Sequence, residues 1–419
     1  MERADRTAGW ALAEIAAGRL TRGDYLEACL ERVSEREPEV KAWVCFDADA
    51  ARLVVESVCG PLAGLPLGVK DVFDTFDWPT GYGSPLYDGY RSGQDAAAVA
   101  LARAAGCVVP GKTVTTEFAY FHPGPTANPR NPAHTPGGSS SGSAAAVAAG
   151  MVPFALGTQT AGSIVRPAAF CGVVGYKPTF GTIPTFGVKQ FAWSLDTVGV
   201  FAREVADAAL LAEALSGLPL QPEATPGVPR IGFCRTAQWS EVAAPSAATI
   251  ETAVAAAGAA GARVMEVALP TACDSLLEDQ KLVMAYEGAR ALAHERRTAR
   301  DFLSAPLLDL TDAGAEADPE AYLQARARAR RARAAVAELF TEVDVLVTPS
   351  APGAAPLGLE ATGDPLFNRI WTLLGVPCLA LPASTDSAGL PLGLQLIGAF
   401  DDDARLLAAA AWLERVLAQ

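Results

Sequence analysis

Two serine-rich turns and one lysine are the residues of this chain best suited to chemistry. Thr135-Pro-Gly-Gly-Ser-Ser-Ser-Gly-Ser143 runs straight into an alanine-rich stretch, and Gly157-Thr-Gln-Thr-Ala-Gly-Ser-Ile-Val-Arg-Pro167 follows it. Small residues let backbone N–H groups come close to a bound molecule. A helix N-terminal turn accounts for either segment alone. Both together, with Lys70 at the end of the short run Gly68-Val-Lys-Asp71, are less easily two ordinary helix starts, although Lys70 alone reads as an exposed strand-end lysine. A serine hydroxyl attacks poorly until its proton is removed. An exposed lysine, with a pKa of about 10.4, is protonated at neutral pH and cannot remove it. Burial disfavours the ammonium and lowers a lysine pKa by up to ~3–5 units. Lys70 follows the apolar run Leu65-Pro-Leu-Gly-Val69, which suits a desolvated side chain.

The elements that must hold these residues read as layered α/β. Residues 1–60 read as helical, with Thr21 capping a segment that carries Tyr25, Leu26, Cys29, Leu30 and Val33 at helix spacing and ends before Pro38. From 62 to 200, short apolar strands (Leu67–Val69, Val108–Val109, Phe154–Leu156, Val173–Val174) alternate with alanine-rich helices (Ala96–Ala105, Ala144–Ala149). A helix at 203–216 and a proline-rich connector at 220–229 follow. Arg230–Phe233 and Val264–Val267 read as strands around a helix at 244–261, and 273–340 reads as mostly helical with a polar loop near 311–319. The segment 341–419 returns to α/β texture, with strands at Val343–Thr348, Leu379–Leu381 and Leu392–Ile397 and a closing helix at 402–417. No repeat and no domain boundary is visible, so 1–419 reads as one domain.

Composition narrows the function classes. Half of the 419 residues are hydrophobic and 19% are charged, enough for a large core and unlike a disordered chain. A net charge of −14 argues against nucleic-acid binding, which calls for a basic surface. Arg326, Arg328, Arg330, Arg331 and Arg333 form one basic stretch, but helical spacing spreads them around the axis, as on a solvated helix. No apolar run reaches the roughly 18 residues that cross a bilayer, and MERADRTAGW lacks a secretory apolar region, so a cytoplasmic protein is expected. The eight cysteines are scattered and read as small buried hydrophobes, and no metal site is visible. Gly106-Cys-Val-Val-Pro-Gly-Lys-Thr113 matches a phosphate-loop spelling, yet its Cys-Val-Val run reads as a strand and Pro110 has no N–H to offer. Gly138-Ser-Ser-Ser-Gly142 matches a nucleophile elbow, but among His122, His134 and His294 only His294 follows it, in a charged helix. His122 and His134 read as loop-packing residues.

Beyond these patterns, Gly64-Leu-Pro-Leu-Gly-Val-Lys-Asp71, Gly137-Gly-Ser-Ser140, Gly162-Ser163 with Cys171-Gly-Val-Val-Gly-Tyr-Lys-Pro178, Leu374-Gly-Val-Pro377 and Gly389-Leu-Pro-Leu-Gly-Leu-Gln-Leu-Ile-Gly398 occur in one order along nearly the whole chain. In these segments the chain resembles the amidase signature family. The resemblance implies one large domain, with a mixed, mainly parallel sheet covered by helices on both faces. It implies a cofactor-free amidohydrolase with Lys70 as base, Ser139 as bridging serine after a cis Gly138–Ser139 peptide, and Ser163 as nucleophile. The backbone N–H groups of Thr160, Ala161, Gly162 and Ser163 would face the developing oxyanion. Attack on a small amide would give an acyl-enzyme and release ammonia or an amine. The segment 62–200 would hold the signature core, and the variable segment 220–340 would shape the pocket.

Three positions depart from the common family pattern. Gln159 stands in place of an acid, Ala161 in place of a glycine, and Arg166 lies three rather than two residues past Ser163. Thr-Gln-Thr-Ala-Gly-Ser-x-x-Arg-Pro-Ala is most similar to the malonamidase-type branch, in which the matching arginine holds a substrate carboxylate. The expected substrate is therefore a short amide bearing a carboxylate, malonamate-like, with Arg166 and Ser140 as its contacts. The competing role for Arg166 is to brace its own loop through backbone carbonyls. The competing functions are an ammonia-donating glutaminase of the kind found in tRNA-dependent amidotransferases, and an amidase of neutral aryl or aliphatic amides. A homodimer is left open, and neither a membrane nor a nucleic acid is an expected partner.

Overall fold

The computed structural model describes residues 2–223 and 227–419. Its eleven strands are β1 (Trp43–Phe46), β2 (Leu67–Lys70), β3 (Gly111–Thr113), β4 (Phe154–Gln159), β5 (Val174–Lys177), β6 (Thr197–Ala202), β7 (Arg230–Phe233), β8 (Arg263–Glu266), β9 (Val345–Pro349), β10 (Cys378–Thr385) and β11 (Pro391–Ile397). All belong to one sheet in the order β1-β3-β2-β4-β6-β5-β10-β11-β9-β7-β8. Every residue of β2, β4, β5, β6 and β9 is buried, which requires cover on both faces. The helices Ser141–Ala148 and Val165–Cys171 pack against each other and against the sheet; Val205–Ser216, Asp403–Leu417 and Ala244–Ala259 form a second packed group. The segment 220–340 adds β7 and β8 to the same sheet, so it is not a separate unit. Its proline-rich connector includes residues 224–226, which lie outside the described residues.

The sheet is mixed, but it is not mainly parallel. Four of its ten neighbour pairings are parallel and six antiparallel. Parallel pairing survives where helical crossovers join the strands, in β3-β2-β4 and β9-β7-β8. The centre is antiparallel because β10 and β11 form a hairpin and β6 returns between β4 and β5.

Several local expectations also need correction. The N-terminal part contains β1 as well as helices, and the helix Arg22–Val40 runs through Pro38. Pro38 removes one i→i−4 hydrogen bond in the last turn, and the helix stops soon after it at left-handed Lys41 (φ 53°). Thr21 does form the expected cap, with Asp24 completing a capping box. Val108–Val109 is not a strand; the strand starts past Pro110 at Gly111. The phosphate-loop match therefore fails because Gly111-Lys-Thr113 is itself β3. The polar loop near 311–319 is mostly helix, since Ala305–Glu316 continues to within two residues of Pro319–Ala337. Cys59 is exposed and Cys45 half-buried, while the other six cysteines are buried. The arginine-rich helix is only partly solvated: Arg328 pairs with Asp279 and Arg333 donates to the Leu374 carbonyl. Among the described residues, no helix is long and apolar enough to cross a membrane.

Candidate active site

Strand register brings the catalytic candidates together. β2 lies between β3 and β4, parallel to both, with Val69 opposite Lys112 and Leu156. The carboxyl ends of β2 and β4 therefore deliver Lys70 and Thr158 to one edge, as is usual for sites on parallel strands. The turn carrying Ser139 enters the buried helix Ser141–Ala148 beneath them. Gly137 adopts φ +80°, and a Cβ there would lie 2.9 Å from the Pro167 Cα, so only glycine fits this turn. The Gly138–Ser139 peptide is cis.

Lys70 is 0% exposed. Its Nζ lies 2.8 Å from Ser139 Oγ and 2.7 Å from Thr158 Oγ1. Burial pushes its pKa down to about 7, against an opposing pull from the Asp196 carboxylate. Ser163 and Ser139 line the same narrow cleft, with Ala119, Tyr120, Phe121, Thr160, Ala161, Arg166, Phe191 and Met284 around them; it measures about 290 Å3, part of it open to solvent. No hydrogen bond shorter than 3.5 Å joins Ser163 to Ser139 among the described residues, so the lysine–serine link is made and the serine–serine link is open.

The loop carrying Ser163 is held from several sides. Gln159, expected to be an anomaly, organises it: Oε1 accepts from the Ile164 and Val165 N–H groups at 2.9 and 3.1 Å, and Nε2 donates to Thr372 Oγ1 at 2.9 Å. Thr372 in turn donates to the Ala161 carbonyl. Gly162 packs so tightly that a Cβ would meet Asn368 Oδ1 at 2.4 Å. The N–H groups of Thr160, Ala161, Gly162 and Ser163 have no acceptor among the described residues, leaving four donors on the loop that carries the Ser163 hydroxyl.

The two predicted substrate contacts are placed differently. Ser140 is fully buried and its hydroxyl bonds the backbone of Thr158, between the turn and β4, away from the cleft. Arg166 reaches the cleft wall, but its guanidinium donates to the Gly363 carbonyl and, at 2.6 Å, to the Gly138 carbonyl. The bracing role is the one the structure gives it, because buried carbonyls of the serine turn need donors that no neighbouring backbone supplies. His134 packs a loop through the Ala355 carbonyl and His294 is exposed, as expected.

Several residues that the sequence left unmarked belong to the site. Thr158 is the second partner of Lys70. Asp196 accepts from Thr160 Oγ1 at 2.5 Å and from the N–H groups of Phe191 and Ala192, tying the nucleophile loop to the cleft wall; burial pushes its carboxyl up to about 6. Gln280, on the helix Leu276–Ala291, donates to the Thr160 carbonyl at 3.0 Å and accepts from Arg369 Nη1 at 2.5 Å. A polar Gln280 within the buried stripe Leu276, Val283 and Met284 was the available signal. Aromatic residues close the cleft: Phe118 and Ala119 turn left-handed (φ 45° and 60°), and Tyr120 stacks on Phe191 with ring centroids 5.5 Å apart.

Comparison with known proteins agrees with this arrangement. The family model described as amidase matches residues 24–407. The A-subunit of a glutamyl-tRNA(Gln) amidotransferase from Anaeromyxobacter sp. (strain K) is 34% identical over 472 aligned positions, covering 97% of this chain and 95% of the relative. An amidase crystal structure superposes with a TM-score of 0.89 at 31% identity, covering 98% and 99% of the two chains. The native peptide amidase of Stenotrophomonas maltophilia gives 0.81 at 31% identity, covering 98% and 96%. With a matching family model across most of its length and amidases among its structural neighbours, the chain belongs to the amidase signature family and is an amidase.

Proposed function

We propose that this amidase hydrolyses a small carboxamide through an acyl-enzyme on Ser163, with Ser139 and Lys70 as its proton relay, releasing ammonia and a carboxylate. The observation that carries the reading is the fully buried Lys70 amine, 2.8 Å from Ser139 Oγ and held near neutrality by burial. The Ser163 hydroxyl attacks the amide carbon while its proton passes through Ser139 to the neutral Lys70 amine. The resulting oxyanion meets the free N–H groups of Ala161, Gly162 and Ser163. The C–N bond breaks as the proton returns from Lys70 through Ser139 to the leaving nitrogen. Water then attacks the ester by the same route. The open link between the two serines closes when a substrate fills the cleft, since catalytic hydrogen bonds often tighten only in the complex.

The malonamidase-type pattern Thr158-Gln-Thr-Ala-Gly-Ser163 and the narrow cleft favour a short acyl group, and we assign a short amide bearing a carboxylate as the substrate class. Ammonia release measured over malonamate, malonamide and aliphatic and aryl amides tests the reading. Release that survives Ser163→Ala would place the nucleophile elsewhere. The likeness to the glutamyl-tRNA(Gln) amidotransferase relative supports a second reading, in which the same residues liberate ammonia from glutamine for a partner. The purified chain releasing ammonia from small amides without any partner decides against it.

A further inference from the structure

We propose that Arg369, rather than Arg166, reads a negative charge on the acyl part of the substrate, so that the cleft selects amides of dicarboxylic acids. The inference rests on the amidase reading of Ser163 given above. Arg369 is only 8% exposed, yet among the described residues no carboxylate lies within 4.0 Å of it. Asp364 and Glu278 act on it only through space. Burying an unpaired cation is expensive, and such a group normally finds an anion. Arg166 is equally unpaired, but its two terminal nitrogens are engaged by carbonyls, and its one free donor, Nε, is sealed from solvent. Arg369 uses a single nitrogen: Nη1 donates to Gln280 Oε1. Its Nε and Nη2 donate to no protein group among the described residues, and neither is sealed from solvent. Those two nitrogens form one edge of the guanidinium, the fork that takes a carboxylate through two parallel hydrogen bonds.

Arg369 is not itself among the residues lining the cleft, but its guanidinium packs against one that is. The Arg369 and Arg166 guanidinium carbons lie 6.0 and 5.4 Å from the ring centre of Phe121, which lines the cleft around Ser163. Gln280 holds Arg369 with its oxygen and the Thr160 carbonyl with its nitrogen, so one amide fixes both the charge reader and the nucleophile loop.

The test compares the monoamides of three-, four- and five-carbon dicarboxylic acids with the matching neutral diamides, reading ammonia release. Wild-type enzyme is expected to favour the acid of its preferred length by about 100-fold in kcat/KM, because a polar site left without its partner discriminates strongly. Arg369→Gln should reduce that ratio to about threefold, chiefly through KM of the acid. Arg369→Lys should fall between the two, since an ammonium keeps the charge without the fork. Fluorophosphonate labelling of Ser163 reports whether each variant is folded and active. Three results would overturn the assignment: labelled wild-type enzyme without acid preference, Arg369→Gln lowering acids and diamides equally, or, if Arg369→Gln does not fold, Arg369→Lys keeping the full ratio. Wild-type enzyme that neither labels nor turns over any amide overturns the amidase reading of Ser163 itself, and this inference with it.

Discussion

Lys70 and Lys112 sit on the adjacent parallel strands β2 and β3, one residue apart in register, and both are 0% exposed. Lys112 meets a carboxylate, with Asp71 Oδ1 3.0 Å from its Nζ, and Thr80 Oγ1 at 2.8 Å. Lys70 meets only the hydroxyls of Ser139 and Thr158. Burial lowers both pKa values, but Asp71 opposes the shift at Lys112 directly, whereas Lys70 falls to about 7. Burial alone therefore does not bring a lysine close to losing its proton at neutral pH; burial without an adjacent carboxylate does. Asp71 follows Lys70 in sequence yet serves the other lysine, because β2 ends at Lys70 and the turn that follows carries the Asp71 carboxylate to Lys112.

This contrast yields four tests, in falling order of size. Lys70→Met should lower kcat/KM for ammonia release by about 10⁴-fold while the thermal midpoint stays close to wild type, because it removes the base and no charge partner. Lys112→Met should do the reverse. It leaves Asp71 buried and unpaired, and denaturant unfolding should show a loss of about 3–5 kcal/mol. Equal activity losses without destabilisation would erase the distinction. Thr158→Asp makes the Lys70 site imitate that of Lys112. A carboxylate there favours the ammonium, so the acidic limb of the pH–rate profile should rise by about 1–3 units above its wild-type position near 7. The wild-type limb itself must fall as pH drops through about 7, since the protonated amine accepts nothing. Asp196→Asn gives the mildest change and the opposite sign: removing a charge that favours the ammonium should move the limb to lower pH, by less than about one unit.

The site was legible in the sequence to unequal depths. Lys70, Ser139 and Ser163 stood in recognisable turns, and the strands and helices around them were placed closely, with Arg230–Phe233 matching β7 residue for residue. Such elements follow from local rules: an apolar run, a cap, a helix-breaking turn. Ser140 and Arg166 were named as substrate contacts; in the fold Ser140 bonds the Thr158 backbone away from the cleft, and Arg166 stands on the cleft wall with its terminal nitrogens on backbone carbonyls. The sequence shows that a guanidinium lies near the nucleophile, but not that the Gly138 and Gly363 carbonyls reach it first. Asp196, Gln280 and Arg369 lie 33, 117 and 206 residues beyond Ser163, outside any motif.

The candidate lysine and serines and the α/β texture were legible in the chain, because each is written in a motif of residues a few positions apart. Which carboxylate answers which lysine, which arginine is left with free donors, and how far the sheet is antiparallel were fixed when distant segments packed. Those outcomes depend on competition among partners brought within about 3 Å of each other, and that competition exists only in the folded chain.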